Sequence, residues 1–232
     1  MPCYNPADGW VYNLFDNLRQ LQACHPNLII HLILVNDGST RGIHPADIKF
    51  LQENLTHFSY LHHKVNQGKG FSVRRGVQAS LNPFCLYTDI DFPYTLESMA
   101  KIINWLMQAE ADILVGVRET EYYAQVPPIR IKISQVLQLL TKHLLHLPIN
   151  DTQCGLKGFN QKGKQVFLKT KTNRYLFDLE FIYLISKAPT SLSIQPVTVM
   201  LKPEVNFSRM DIKILLQESY SFLKILFRSS VE

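Results

Sequence analysis

The sequence predicts an α/β protein built on a doubly wound, mainly parallel sheet with a helical elaboration at its C-terminal end. Three observations predict it. Short apolar runs rich in branched residues recur through the first half, as in Leu28–Val35. Each run gives way to a polar loop carrying Gly or Asp. Segments with apolar positions at helical spacing lie between the runs. Strand, loop and helix in alternation are the pattern of a parallel sheet covered on both faces.

Leu28–Val35 reads as a buried strand that ends in Asn36-Asp37-Gly38-Ser39-Thr40. Ile43–Leu55 reads as a helix. Phe58–His62 is a second strand, ending near Asn66-Gln67-Gly68-Lys69-Gly70. Phe71–Leu81 is helical, with Val73, Val77 and Leu81 four apart. Phe84–Thr88 is a third strand and runs into Asp89-Ile90-Asp91. Thr95–Glu110 sets Met99, Ile102, Ile103 and Leu106 on one helix face. Ile113–Val117 is a fourth strand, followed by Arg118. Right-handed crossovers put the strand C-termini on one edge, so these polar clusters should meet where open α/β sheets bind ligands. In the second half, Ile129–Leu147 reads as a long helix closed by Pro148, and Asp151–Phe159 as a polar turn entering a strand. Phe177–Lys187 is a helix, Leu192–Leu201 a strand and Met210–Arg228 an amphipathic helix. With no internal repeat or clear linker, residues 1–232 form one domain.

Composition narrows the class. Apolar residues make up 46% of the 232 and charged residues 19%, which is globular. The net charge of +5 fits an anionic ligand, an anionic membrane surface, or nothing specific. Cys3, Cys24, Cys85 and Cys154 form no C-x-x-C pair, which argues against a zinc knuckle or disulfide scaffold and for a reducing compartment. Met1–Asn5 does not read as a signal peptide. No apolar stretch reaches the roughly 20 residues a bilayer span needs.

Asp89 and Asp91 stand two apart at a strand end, where alternate residues share a face. Two such carboxylates suit one hard divalent cation, Mg2+ or Mn2+. A shared cation would in turn hold a diphosphate. Asp37 reads either as a turn or cap residue or as an acid that accepts from a ribose or base. The Gly68 and Gly70 loop precedes a helix, so its backbone can approach a phosphate at the helix N-terminus. Arg74 and Arg75 read as a solvated face or as added positive charge. Asp151 reads as a turn residue or a base. Glu180, with Asp178, reads mainly as an ion-pairing residue that fixes a helix near Arg174. His62 and His63, adjacent on a strand, face opposite ways and read as surface or turn residues.

Five pieces stand in order: V-N-D-G-S-T, N-Q-G-K-G, T-D-I-D, D-T-Q-C-G-L-K-G-F and R-Y-L-F-D-L-E-F. Together they resemble family 2 glycosyltransferases of the GT-A fold, most nearly the dolichyl-phosphate glucosyltransferase and mannosyltransferase branch. The resemblance implies a nucleotide-binding half (1–117), an acceptor-side half (118–207) and a C-terminal helix (208–232). It implies that Pro2, Tyr4, Asn5, Asp37, Gly68, Lys69 and Asp89 hold the nucleotide sugar, and that Asp89 and Asp91 hold the metal. It places Arg118, Arg130, Ser134 and Gln153 at the acceptor, and Asp151 and Arg118 at the chemistry. It also implies a full apolar strand leading into Pro2-Cys3-Tyr4-Asn5. Residues before Met1 or a partner segment are expected to supply it.

The implied reaction is an inverting transfer of a hexose, from a UDP-glucose or GDP-mannose type of donor, to a polyprenyl phosphate. The other readings are transfer to a glycan hydroxyl in cell-surface polysaccharide synthesis, and a non-catalytic nucleotide-sugar-binding partner. The implied partners are the donor and a lipid-phosphate or glycan acceptor, with no nucleic acid. A lipid acceptor requires peripheral membrane contact, through Met210–Arg228 or Ile129–Leu147, at the cytoplasmic face.

Overall fold

A computed structural model describes residues 1–118, 135, 139, 141, 147, 149, 151–188, 192–203 and 212–227. The elements used below are β1 (Pro2–Cys3), α1 (Trp10–Cys24), β2 (Leu32–Asn36), α2 (Pro45–Asn54), β3 (Phe58–His62), α3 (Lys69–Ala79) and β4 (Cys85–Tyr87). They continue with α4 (Leu96–Met107), β5 (Ile113–Arg118), β6 (Lys157–Phe159), α5 (Gln161–Phe167), α6 (Phe177–Ser186), β7 (Ile194–Val199) and α7 (Ile212–Leu226). The predicted helix at 129–147 lies outside the described residues except at isolated positions.

Local chemistry sets several boundaries. Thr95 caps α4 by accepting the Ser98 amide at 3.3 Å, as its place before an apolar-periodic run predicts. Pro45 opens α2, and the His44 amide donates to Asp47 at 2.8 Å in a reciprocal capping pair. Helix α1 was not read from the sequence, although Trp10, Leu14, Leu18 and Leu21 are spaced to bury one face. Helix α5 was also missed. It begins where Asn160 accepts the amides of Lys162 and Gly163.

The sheet is mixed. Strands β1, β2 and β3 pair in parallel, and β7 runs parallel to β5. Strand β6 lies between β4 and β5 and is antiparallel to both, with Lys157 opposite Tyr87 and Val115. This reversal positions the site. Strands β4 and β5 deliver Asp89 and Arg118 at their C-terminal ends, and the 151–156 loop reaches the same edge from the front of β6.

One core packs α1 and α4 on the sheet through Leu14, Leu34, Ile102 and Leu114, all fully buried. On the other face, Phe159, Phe167, Phe177 and Phe181 gather around Tyr87, with Phe159 and Phe167 stacked at 5.2 Å. Helix α7 lays Phe222 and Ile225 on Leu176 and on Leu179 and Tyr183 of α6, while Leu223 and, just past the helix, Phe227 stay exposed. No helix among the described residues is long and apolar enough to cross a membrane.

The strand predicted at Leu28–Val35 begins only at Leu32. Residues 28–31 instead line a mainly apolar cavity of about 490 Å³ between β2 and β4. Across that gap, among the described residues, no ladder joins the β1-β2-β3 sheet to the β4-β6-β5-β7 sheet.

Candidate active site

Asp89 and Asp91 follow β4 in a turn closed by the Phe92 amide on the Asp89 carbonyl at 3.1 Å, with Phe92 at φ 49°. The turn, not the two-residue strand repeat, aims the two side chains. Lys69, the first residue of α3, places its ammonium 2.6 Å from Asp89. Burial pulls the Lys69 pKa down, but the Asp89 and Asp178 carboxylates outweigh it and hold the ammonium above its ordinary value. The Asp91 carboxyl is pushed up, first by desolvation and then by the Asp89 charge.

These are hard oxygen donors with negative charge to spare. Among the described residues no three or more His, Cys, Asp or Glu side chains gather as a closed metal cage. A pair of carboxylates still fits Mg2+ or Mn2+, which such sites commonly hold through one or two carboxylates, with substrate phosphates and water completing the shell.

The 151–156 loop walls this edge. A Cβ on Gly155 would stand 2.8 Å from Asp89 Oδ2 and 3.5 Å from Lys69 Nζ, so glycine lets the backbone close on the carboxylate. Tyr94 accepts the Gly155 amide at 2.8 Å and the Cys154 thiol at 3.3 Å. Lys157, fully buried, donates to the Cys154 carbonyl at 2.6 Å and to Asp178 at 2.5 Å. The Tyr87 hydroxyl also donates to Asp178. Sequence reasoning missed Lys157, Tyr94 and Tyr87. Lys157 and Gly155 stood in D-T-Q-C-G-L-K-G-F, but a lysine in a short strand gives no sign of burial.

At the far end of the loop, Asp151 meets Arg118. The guanidinium donates Nε to Oδ2 at 2.8 Å and Nη2 to Oδ1 at 2.7 Å, and the Arg118 amide adds a bond at 3.0 Å. Burial alone would raise the Asp151 carboxyl, yet the bonds and charge of Arg118 pull it below the ordinary value. A general base is tuned the other way. Asp151, expected as a turn residue or a base, is held here as an ion-paired anchor. Gln153 lies in the same loop, and its buried amide nitrogen has no partner among the described residues.

On the other flank Asp37 is 2% exposed and is neither a turn residue nor an open ribose acceptor. Its carboxylate accepts the Gln67 and Gly68 amides at 2.8 Å each and His63 Nδ1 at 2.9 Å. The local turn belongs to Asn36, which accepts the Ser39 amide. His63 is therefore no surface residue. The cradle expected at Gly68 is also corrected. With φ 104°, Gly68 would carry a Cβ 2.3 Å from the Asn173 carbonyl, and Gly70 one 2.6 Å from that of Thr172. The glycines make room for the chain's own 172–174 loop.

Arg74 is tied there too, donating to Thr170, Thr172 and Asn173, and Arg75 donates to the His62 carbonyl. Glu180 fixes the loop by accepting the Lys171 and Thr172 amides. Pro2 is buried in β1, and Tyr4 is half exposed. Asn5 accepts the Thr40 and Arg41 amides at 2.9 and 3.2 Å. Arg130 and Ser134 lie outside the described residues. A chain of contacts thus links Asp37, Gly68, Lys69, Asp89, Gly155, Asp151 and Arg118 along one edge.

The chain is 29% identical over 184 residues to the dolichyl-phosphate beta-glucosyltransferase of Homo sapiens, covering 72% of this chain and 55% of that one. It is 26% identical over 233 residues to one from Trichomonas vaginalis, covering 97% and 71%. A third, from Dictyostelium discoideum, is 25% identical over 165 residues, covering 67% and 50%. This chain therefore spans from half to about seven tenths of the length of these relatives. Among solved structures, glucosyl-3-phosphoglycerate synthase from Mycobacterium tuberculosis superposes with a TM-score of 0.67 at 14% identity, covering 97% and 76%. Mannosyl-3-phosphoglycerate synthase from Rubrobacter xylanophilus gives 0.63 at 11%, covering 98% and 72%. The fold is therefore the GT-A fold. Residues 1–167 match the model of glycosyl transferase family 2, a span that takes in Asp37, Lys69, Asp89, Arg118 and Asp151 alike, and the chain belongs to that family.

Proposed function

We propose that the chain is an inverting hexosyltransferase that moves a sugar from a nucleoside diphosphate to a polyprenyl phosphate. The observation that carries this reading is the pair Asp89 and Asp91 beside Lys69, carboxylates with negative charge in excess at the ligand edge of the sheet. A bound Mg2+ or Mn2+ would supply charge stabilisation for the departing diphosphate. Asp89 and Asp91 would hold it, and Lys69 adds positive charge on the same side. A relative's solved structure carries Mn2+ with uridine-diphosphate-glucose, which supports this donor class.

The state of Asp151 supports a phosphate acceptor over a sugar hydroxyl. A hydroxyl needs a base, and Asp151 is locked to Arg118 with a depressed pKa. A phosphate monoester, with a second pKa near 6, is already mostly dianionic at neutral pH and attacks unaided. Arg118, Arg130, Ser134 and Gln153 would receive it. The names of the relatives point the same way. Leu223 of α7 and Phe227 just after it, both exposed, with Lys224 between them in sequence, support peripheral contact with a membrane, which we place at the cytoplasmic face.

The test is a panel of nucleotide sugars with and without polyprenyl phosphate, read as released nucleoside diphosphate, with Mn2+, Mg2+ or chelator. Release that requires both lipid phosphate and cation supports the reading. Donor binding without release under every condition would leave a binding partner instead, and release driven by a glycan would move the acceptor.

A further inference from the structure

The turn that carries Asp89 and Asp91 is held from outside the sequence motifs. The Phe92 amide donates to the Asp89 carbonyl at 3.1 Å, and Asn13 of α1 donates Nδ2 to the Asp91 carbonyl at 3.3 Å. Both bonds belong to one peptide group, that between Asp91 and Phe92. Its carbonyl faces α1 and its N–H faces the turn, so the peptide plane is fixed at both ends. The hold has something to resist, because Phe92 has φ 49°, in the left-handed region that a bulky side chain rarely adopts. A flip of that peptide would relieve Phe92 and open the turn.

Asn13 is itself oriented from deeper in the molecule. Asn17, 6% exposed, donates Nδ2 to the Asn13 carbonyl and to Asn13 Oδ1, each at 2.7 Å. Its own Oδ1 accepts Lys202 Nζ at 2.7 Å. A lysine ammonium has three donors and no lone pair, so it must meet the oxygen of Asn17 and leave the nitrogen for Asn13. That occupies the Asn13 oxygen and leaves the Asn13 nitrogen for Asp91. One cation thus sets the direction of two amides. Lys202 is anchored beside the same turn: its amide donates to the Pro93 carbonyl at 2.8 Å, and its ammonium lies 5.9 Å from the centre of the Phe92 ring. Asn17 is the polar member of a buried helix face that otherwise holds Trp10, Val11, Leu14, Leu18 and Leu21. Asparagine is a poor residue for a helix interior, so its place there answers to something other than the stability of α1.

We propose that Lys202, Asn17 and Asn13 are positioning residues of the candidate active site, a directional relay that locks the peptide between Asp91 and Phe92 and so fixes Asp89 and Asp91 as a platform for a divalent cation. The proposal rests on the transferase reading for the cation alone, since the locked turn stands on the hydrogen bonds. The relay is distinct from a charge effect. The Lys202 charge, with that of Lys69, does act on the Asp91 carboxyl, opposing the rise that burial and Asp89 cause. A charge effect, however, has no need of Asn13, which is neutral and exposed.

The test compares the parent chain with Lys202→Met, Asn17→Asp, Asn13→Ala and Lys202→Arg. Lys202→Met removes the donor. Asn17→Asp keeps the partner of the lysine but cannot donate onward. Asn13→Ala cuts the last bond at an exposed helix position, where alanine favours the helix. The readouts are hydrogen exchange at the Phe92 amide, the melting temperature, and the affinity for Mn2+ with UDP or GDP present, taken from the electron paramagnetic resonance of the free ion. The first three variants are expected to speed Phe92 exchange about tenfold and to weaken Mn2+ binding about fivefold, the worth of one net hydrogen bond. Lys202→Arg, also a donor only, should stay close to the parent. Asn13→Ala should show both losses with a melting temperature within about 2 °C of the parent, which a merely structural role would not produce. The proposal is overturned if Asn13→Ala exchanges like the parent, or binds Mn2+ as tightly as a parent that binds it. It is also overturned if Lys202→Arg fails as Lys202→Met does, or if exchange quickens only in step with a falling melting temperature. The expected exchange pattern in a chain that takes up no Mn2+ upholds the relay and sinks the metal reading, so the two fail separately.

Discussion

The two acidic motifs on the ligand edge end in opposite electrostatic states. Asp151 is completed from within the chain: a guanidinium fork and an amide match its charge, and its carboxyl titrates below the ordinary value. Asp89 and Asp91 are less fully matched among the described residues. They crowd each other, Lys69 offsets one of them, and the Asp91 carboxyl titrates above its ordinary value. The contrast shows how to separate architecture from chemistry at a strand-end acid. A matched carboxylate holds a loop, whereas a less fully matched pair is suited to an added cation.

Breaking the unmatched side should have the largest effect. Asp89→Ala is expected to lower turnover about 10³-fold, equivalent to ~4 kcal/mol, measured as nucleoside diphosphate release. Its melting temperature should stay within about 2 °C of the parent. An equal loss of fold and turnover would erase the contrast. On the matched side, Arg118→Met leaves Asp151 buried and unpaired and should cost about 3 kcal/mol in urea unfolding. The double variant Arg118→Met, Asp151→Leu should recover most of that loss. A single variant as stable as the parent would show that Asp151 does not depend on Arg118.

Acid sharpens the comparison next. A depressed carboxyl contributes stability that is complete above its unfolded value near 3.9 and is lost as pH falls through the lower folded value. Asp151→Asn should therefore flatten the loss of stability below about pH 4, followed by calorimetry between pH 6 and 2.5. The smallest effect is expected at Lys49, whose ion pair with Glu53 spans 3.6 Å between side chains 73% and 62% exposed. Lys49→Ala should cost about 0.5 kcal/mol or less.

Much of the frame was legible because burial leaves a periodic trace. The β3 strand and helices α2, α3 and α4 lie within a few residues of where apolar spacing put them. Asp89 was legible as a candidate because it ends an apolar run, and Lys69 because N-Q-G-K-G resembles a loop of the family. The reversal of β6 was not legible, since a three-residue strand carries no mark of direction. Nor was the Lys157, Asp178 and Tyr87 cluster, whose members stand 21 and 91 residues apart and meet only after the sheet forms. The partners of Asp37 were not legible, because two of them are backbone amides, which any sequence supplies, and the third, His63, stood in a pair that read as surface or turn residues.

The joint between α3 and the 170–174 loop has a consequence for how this chain can vary. Gly68 and Gly70 press on the Asn173 and Thr172 carbonyls, the Phe71 amide donates to Asn173, and Glu180 grips the next amides along. Lys69 is thereby suspended from α6, about a hundred positions away in the chain. A gain of bulk at either glycine has to be answered by a change at 172–174, so grafting in one stretch from another chain without the other is expected to lower stability.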